Sequence, residues 1–141
     1  MTESKADRHV EHGSLWDYQG GPYDTLLLMM NGIGLVGDFQ GLNRFFEKAR
    51  TLLAEGGQIL MDSSDVSYLY DEDSGVEKPQ GRYYGIIGYQ MSFGTVVGDP
   101  FEWLYIDYPR LIKQCEFFGM KCELISEGGH YEYLARITMG D

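Results

Sequence analysis

Apolar residues occur in short unbroken runs that are separated by glycine-rich or polar turns. The first run covers residues 25–30, and a second run, residues 58–62, follows two glycines. Runs of this length are typical of strands that are buried on both faces of a parallel sheet. Between the two runs, apolar residues recur every three or four positions over residues 42–54, which predicts an amphipathic helix. The glycines at its end supply a stop signal. The pattern therefore predicts a right-handed βαβ unit.

The second half of the chain has the pattern of antiparallel strands. Residues 82–93 and 102–106 are rich in tyrosine and flank a Gly-Asp-Pro turn, which predicts that they pair as antiparallel strands. Residues 121–126 and 131–139 are separated by a glycine-containing turn and predict a hairpin.

The segments between these strands are a helix and a loop. A helix is predicted over residues 108–118, with Asp107 as the N-cap and Pro109 in the first turn. Residues 63–81 are acidic and then rich in turn residues, which predicts a surface loop or an insertion. Residues 1–9 are charged and lack periodicity, so they are predicted to be disordered, and a short strand is placed near residues 8–11.

Composition and charge limit the possible partners. The 141 residues suit one domain, and 43% of them are hydrophobic, enough for a packed core. The formal net charge of −11 disfavours binding to nucleic acid or to an anionic membrane surface. The first 13 residues are polar and no apolar run is long enough to span a bilayer, so a cytoplasmic location is predicted. Cys115 and Cys122 are predicted to be buried as small hydrophobic residues rather than joined in a disulfide.

Three sequence segments occur in an order that characterises one family. Residues 23–34 form an apolar strand followed by Asn-Gly-Ile-Gly, residues 52–60 read Leu-Leu-x-x-Gly-Gly before the next strand, and residues 12–17 precede both. This order resembles the second half of the class I S-adenosylmethionine-dependent methyltransferases. The resemblance implies an α/β, Rossmann-like methyltransferase fold that is incomplete, with the C-terminal strands of a mostly parallel sheet and an antiparallel closing pair.

The resemblance also implies an activity and a cofactor. The complete relative would transfer a methyl group from S-adenosylmethionine to a small-molecule or protein acceptor. In that family a glycine-rich loop after the first strand holds the methionine end of the cofactor, but here no strand followed by a G-x-G loop precedes Gly13. Residues 1–141 are therefore expected to form a single partial domain that binds the cofactor poorly by itself.

Candidate cofactor-binding residues lie at two positions in this scheme. Ligands of open α/β sheets bind at the carboxyl ends of the strands, where the loop after the first apolar run would lie. That loop could contact the cofactor, or it could be a tight turn that needs positive φ. The segment before the first run could form the adenine pocket, or it could end a strand with an aromatic residue plugging the core. The candidates are Gly13, Ser14, Leu15, Trp16, Asn31, Gly32, Ile33 and Gly34.

Candidate substrate-binding residues follow the second apolar run. Asp62 and Asp65 would lie at the same sheet edge, and Tyr84 comes from the aromatic-rich part of the chain. An N-cap or Asx-turn is the favoured alternative for the two aspartates, and a place in the sheet is the favoured alternative for the aromatic residues. His9, His12 and His130 lack the spacing of metal ligands, so no metal site is predicted. No general base is assigned.

A non-catalytic function is the alternative hypothesis. If the first two strands of the family's sheet are absent, residues 23–30 form an unpaired apolar edge without proline or lysine. Such edges pair with other chains. The chain would then form a homo-oligomer or associate with a missing N-terminal half, and would not bind the cofactor alone.

Overall fold

The structure, a computed structural model, describes residues 13–70 and 74–139. The disorder expected for residues 1–9 and the strand near residues 8–11 lie outside the described residues. The strands are β1 (Tyr23–Leu28), β2 (Leu53–Ser64), β3 (Ile86–Tyr89), β4 (Ser92–Phe93), β5 (Val96–Val97), β6 (Phe101–Leu104), β7 (Met120–Glu127) and β8 (Glu132–Met139), and the helices are α1 (Phe39–Leu52) and α2 (Tyr108–Phe117).

Four strands form the main sheet, in the order β1-β2-β8-β7. β1 and β2 are parallel, whereas β8 is antiparallel to both of its neighbours. The predicted α/β class, the βαβ unit and the closing hairpin are therefore confirmed. Because β8 runs against β2, the start of β8 lies at the same sheet edge as the end of β2.

The α1 helix carries the apolar stripe that its periodicity predicts. Leu42, Phe45, Phe46 and Ala49 are buried and belong to the same core as Ile59 of β2. The helix begins three residues earlier than predicted because the Asp38 carboxylate caps it, accepting a hydrogen bond from the Gly41 amide at 2.9 Å.

The glycines after α1 do not separate the helix from the strand as predicted. α1 ends at Leu52 and β2 begins at the next residue. Gly56, at φ 78°, lies within β2, where the register with β1 shifts between Tyr23 and Thr25. These glycines therefore form an irregularity that lengthens β2, rather than a turn before it.

The first strand is less buried than its apolar run predicts. Leu26 and Leu28 pack partly against the core, but Leu27 is 64% exposed, and among the described residues β1 pairs only with β2. The expectation of burial on both faces was wrong, because the described core covers one face of this edge strand.

The tyrosine-rich region forms shorter strands than predicted. β3 pairs with β6, and β4 pairs with β5 in a separate two-stranded ribbon. At the second helix, Pro109 lies in the first turn as predicted, but Asp107 makes no capping bond with its side chain. Its carboxylate instead accepts a hydrogen bond from the Tyr83 hydroxyl.

The two cysteines are free thiols, as predicted, but Cys115 on α2 is buried whereas Cys122 on β7 is half-buried. The hydrogen bond with Cys122, together with burial, raises the pKa of Cys115. Among the described helices, none combines the length and apolar character needed to cross a bilayer.

Candidate functional site

The parallel strands β1 and β2 end at the same edge of the sheet, and a cavity of about 350 Å³ opens there. Met30 and Asn31 line it from the turn after β1, and Asp62 lines it from the end of β2. Ligand crevices of open α/β sheets lie outside the carboxyl ends of the strands. The topology therefore puts this cavity where a ligand site is expected.

The turn after β1 has an unusual backbone. Met30 and Asn31 both lie in the left-handed region, at φ 56° and 57°, which non-glycine residues rarely adopt. The Asp62 carboxylate accepts hydrogen bonds from both of their amides, at 3.0 Å from Met30 N. Successive amides that converge on an anion form the arrangement called a nest. Asp62 thus holds the turn, and neither the N-cap nor the Asx-turn predicted for it is found.

The glycines of this turn have a different role from the one predicted. Positive φ falls at Met30 and Asn31, and not at Gly32 or Gly34. A Cβ atom at Gly34 would lie 1.9 Å from Nε1 of Trp103, so this glycine gives room for the indole ring. A Cβ atom at Gly32 would be 3.9 Å from its nearest neighbour.

The Asn31 side chain is bonded within the protein. Its Nδ2 donates to the Leu104 carbonyl at 3.1 Å, and its Oδ1 accepts from the Ser63 hydroxyl at 2.6 Å. The Asn31 backbone is bonded too, since its amide donates to the Asp62 carboxylate and its carbonyl accepts from Gly34 N at 3.0 Å. The cofactor contact predicted for Asn31 stays a prediction. Ile33 is fully buried in the core, so a direct ligand contact by its side chain would require the core to open.

The contacts of Ser63 and Tyr133, which organise this edge of the sheet, were not predicted from the sequence. Ser63 is 1% exposed, and its Oγ accepts from Ile106 N at 3.1 Å. The Tyr133 hydroxyl donates to the Ile106 carbonyl at 2.6 Å, and burial raises the pKa of Tyr133. The available signal was periodicity: Ser63 continues the inward-facing alternation of Ile59 and Met61 with a polar residue.

Asp65 and Tyr84 lie together, a contact that the sequence did not predict, and Asp65 makes no bond to the turn that Asp62 holds. The Asp65 carboxylate accepts from Ser67 N at 3.0 Å, which is the predicted Asx-turn, and from the Tyr84 hydroxyl at 2.7 Å. Burial would raise the pKa of Asp65, but these hydrogen bonds and the charge of Lys78 hold it below its ordinary value. Burial and the bond to Asp65 raise the pKa of Tyr84.

A second cavity, of about 510 Å³, adjoins the first. Asp65 and Tyr108 line it, and Glu127, Glu132 and Tyr133 line both cavities. The two cavities therefore share a wall along the edge of the sheet that carries the ends of β2 and β7.

The segment of the predicted adenine pocket forms a 3₁₀ helix over Leu15–Asp17, where the end of a strand was expected. Ser14 caps this helix, its Oγ accepting from Trp16 N at 3.2 Å, and Gly13 is exposed beside it. The guanidinium of Arg44 lies 4.3 Å from the centre of a Trp16 ring. Leu15 and Trp16 pack against the core, and none of these residues lines either cavity. Adenine binding by this segment stays a prediction.

Most aromatic residues of the tyrosine-rich region, residues 82–106, pack against one another. This agrees with the favoured alternative that they belong to the sheet. Tyr89 stacks on Phe101, with ring centres 5.8 Å apart. Its hydroxyl also bonds to that of Tyr105, which with burial raises the pKa of Tyr105 to about 12. Tyr108 lines the second cavity, whereas Tyr83, Tyr84, Tyr89, Trp103 and Tyr105, all of them described, do not.

The chain is similar to solved methyltransferase structures over most of its length. It shares 43% identity with the SAM-dependent methyltransferase from Bacteroides fragilis in complex with S-adenosyl-L-homocysteine, covering 90% of this chain and 52% of that one, at a TM-score of 0.78. The fold is also similar to the CcbJ methyltransferase from Streptomyces caelestis, with 10% identity, 92% and 62% coverage and a TM-score of 0.58. A S-adenosylmethionine-dependent methyltransferase from Clostridium acetobutylicum gives 11% identity, 92% and 63% coverage and a TM-score of 0.56.

These similarities differ in what they show. The two structures at 10% and 11% identity show the fold alone, whereas the Bacteroides fragilis protein shares sequence as well. The chain spans about half the length of that protein. Comparison with family models and with curated proteins gives no match. The shared sequence and the shared fold together place this chain in the family of class I S-adenosylmethionine-dependent methyltransferases.

Proposed function

We propose that this chain forms part of a cleft in which a methyl group is transferred from S-adenosylmethionine to an acceptor. The observation that supports this most directly is the 43% identity, over 90% of the chain, to a methyltransferase crystallised with S-adenosyl-L-homocysteine. The cavity at the carboxyl edge of β1 and β2 is where such a fold binds its ligands.

The lining of that cavity is compatible with the cofactor. Met29 and Met30 supply apolar surface and Asp62 supplies a carboxylate, and no Lys or Arg in the part of the chain that the structure describes lines the cavity. An apolar wall with a nearby negative charge suits a ligand that carries a sulfonium cation. When bound, S-adenosylmethionine supplies the electrophilic methyl group of its sulfonium.

The proposed contribution of the chain is positioning. Methyl transfer needs the acceptor atom in line with the methyl group, and fixed geometry of this kind lowers the barrier without covalent catalysis. Asp62 holds the Met30–Asn31 backbone, and Ser63 holds the Asn31 side chain. Both hydrogen-bond sets keep the turn in one conformation at the mouth of the cavity. Residues 13–16 supply the adenine side in this proposal.

Calorimetric titration with S-adenosylhomocysteine tests the proposal. For the product of the longest reading frame that contains this chain, we expect a dissociation constant on the order of micromolar, whereas the 141-residue chain alone gives no saturable heat. Ser14→Ala is expected to weaken binding about tenfold, because it removes the hydroxyl that is proposed to bond to the adenine and with it the cap on Trp16 N. Ser92→Ala, an exposed serine on β4, is the matched control and should bind normally.

The two titrations test the role of Ser14 and the methyltransferase proposal separately. Equal affinities for Ser14→Ala and Ser92→Ala would remove Ser14 from the adenine site and leave the function intact. Absence of any binding by the longer product would remove the methyltransferase proposal itself.

A second candidate function, association with another chain, is supported by the edge strand β1. Its outer edge has no partner among the described residues, Leu27 is exposed, and the strand contains no lysine or proline. The opposite edge strand, β7, carries Lys121, a residue type that discourages pairing between sheets. β1 is therefore the edge that would pair with a second copy or with an N-terminal half.

Light scattering of the 141-residue chain tests this association. We expect a mass at least twice that of the monomer at high concentration, because an unprotected apolar edge pairs with another strand. Leu27→Lys should restore the monomer, while Leu69→Lys, at an exposed leucine of the 3₁₀ helix Val66–Tyr70 and outside the strands, should not. A monomeric mass for the unmodified chain at every concentration would rule the association out.

A further inference from the structure

The second cavity has an unusual chemical lining. It lies between the end of β7, the start of β8 and the start of α2. Among the described residues that line it are three carboxylates, those of Asp65, Glu127 and Glu132, three tyrosines, Tyr108, Tyr131 and Tyr133, and no lysine or arginine. A concave site lined by anionic groups and aromatic rings favours a cationic ligand.

Within residues 13–70 and 74–139, no lysine or arginine forms an ion pair with the carboxylates of this cavity. For Glu127 and Glu132 the described part of the chain provides no ion pair. Lys78 attracts Asp65 but lies over the ring of Tyr84, 4.9 Å from its centre, and does not line the cavity. The lowered pKa of Asp65 keeps it ionised at neutral pH. The cavity therefore carries negative charge, in a chain whose net charge is −11.

The aromatic rings at this cavity are held in place. Tyr131, at φ 61°, stacks on Tyr68 with ring centres 5.2 Å apart, and its carbonyl accepts from Asp65 N at 3.0 Å. Tyr108 meets Tyr133 edge to face at 5.5 Å. Tyrosine faces attract ammonium groups through their quadrupole. Fixed rings beside ionised carboxylates thus add a second source of attraction for an organic cation.

We propose that this cavity binds an organic ammonium group carried by the methyl acceptor. This inference rests on the proposed function, because it takes the acceptor to extend from the Asn31 turn into the second cavity. Glu127, Gly128, Glu132 and Tyr133 line both cavities, so one molecule can occupy both. The ammonium serves for recognition, and the methylated atom is elsewhere in the acceptor, near the turn. An anionic acceptor would be repelled by the same wall.

Titration of the isotope-labelled 141-residue chain, followed by amide NMR, tests the site without the cofactor. The probe is phenethylammonium chloride, with 2-phenylethanol and 3-phenylpropionate as its neutral and anionic counterparts. We expect saturable shifts at Gly128, Gly129 and Tyr131 with the ammonium only, with a dissociation constant on the order of millimolar.

Variants assign the binding to the carboxylates. Glu127→Gln and Glu132→Gln should each weaken ammonium binding about fivefold, in line with the loss of one partly exposed charge pair. Glu116→Gln removes an exposed carboxylate on α2 that does not line the cavity, and it should leave the affinity unchanged. Tyr131→Leu should weaken binding by a similar factor through loss of the aromatic face.

Several outcomes would overturn the inference. Equal shifts with 2-phenylethanol would make the cavity merely apolar, and displacement of the ammonium by millimolar Mg²⁺ would make it a metal site. Equal affinity of Glu116→Gln and the two cavity variants would place the binding elsewhere. If the longer product binds S-adenosylhomocysteine and no ammonium shift appears, only this inference fails. If the ammonium binds and S-adenosylhomocysteine does not, the site stands as a cation site and the methyltransferase proposal fails.

Discussion

Replacing Gly34 with alanine is expected to lower the free energy of unfolding by about 3 kcal/mol. The added Cβ would overlap the indole of Trp103, 1.9 Å from Nε1 and 2.2 Å from Cδ1. Gly34 is buried in the 3₁₀ helix Gly32–Val36, and Trp103 is on β6, so neither backbone can move without disturbing the core. Chemical denaturation followed by circular dichroism measures the loss.

Gly32→Ala is the matched control for this substitution. It adds the same atom two residues earlier in the same 3₁₀ helix, where the nearest neighbour is the Leu28 side chain at 3.9 Å. The change in unfolding free energy should stay within about 0.5 kcal/mol. When Trp103→Leu is added to Gly34→Ala, part of the lost unfolding free energy should be recovered. The double-mutant cycle then gives the coupling energy between the two positions. Equal stability of Gly34→Ala and Gly32→Ala would mean that Trp103 does not lie against Gly34.

Asp62→Ala is expected to lower the free energy of unfolding by about 3 kcal/mol as well. The carboxylate accepts from two amides, and bonds to a charged acceptor are stronger than neutral ones. Its removal also leaves Met30 and Asn31 in left-handed conformations without the anion that stabilises them. Thermal and denaturant unfolding measure the stability, and amide NMR shifts of the turn report its conformation.

Controls distinguish the turn from a general effect of charge. Asp99→Ala removes one negative charge, as Asp62→Ala does, but from an exposed residue. It should change the free energy of unfolding by no more than about 0.5 kcal/mol. Asp62→Asn should lose less than Asp62→Ala, because the amide oxygen can still accept one of the two bonds. Met30→Gly should restore part of the stability of Asp62→Ala, since glycine adopts positive φ at no steric cost. A stability of Asp62→Ala equal to that of Asp99→Ala would refute the role assigned to Asp62.

Much of the secondary structure follows from local pattern. The apolar residues from Leu42 to Ala49 recur at helical spacing, so they lie on one side of the helix that forms. Asp38 caps the start of that helix. The hairpin of β7 and β8 follows from two runs and a glycine turn. Pattern failed at β1, because an apolar run reports a preference for burial and not whether a neighbouring element supplies it.

The location of the candidate site could be predicted from the sequence, but the contacts of its residues could not. Its location after β1 and β2 follows from the parallel βαβ unit, since parallel strands end at one edge. The ligand contact predicted for Asn31 stays a prediction, but the sequence did not foresee that its side chain bonds to Leu104 and Ser63. Asp62 was predicted to bind substrate or to cap a turn of its own, and it holds a turn 31 residues earlier in the chain.

The sequence by itself determined the α/β class, the order of its elements and the sheet edge at which a ligand site would form. These depend on hydrophobic period and turn residues, which act over a few neighbouring positions. The tertiary structure alone decided which polar groups meet at that edge. Ser63 bonds to Ile106, 43 residues away, and Asn31 bonds to Leu104, 73 residues away. Packing, and the free-energy cost of leaving a buried polar group unpaired, determine which residues meet at such separations. The local sequence pattern does not contain either kind of information.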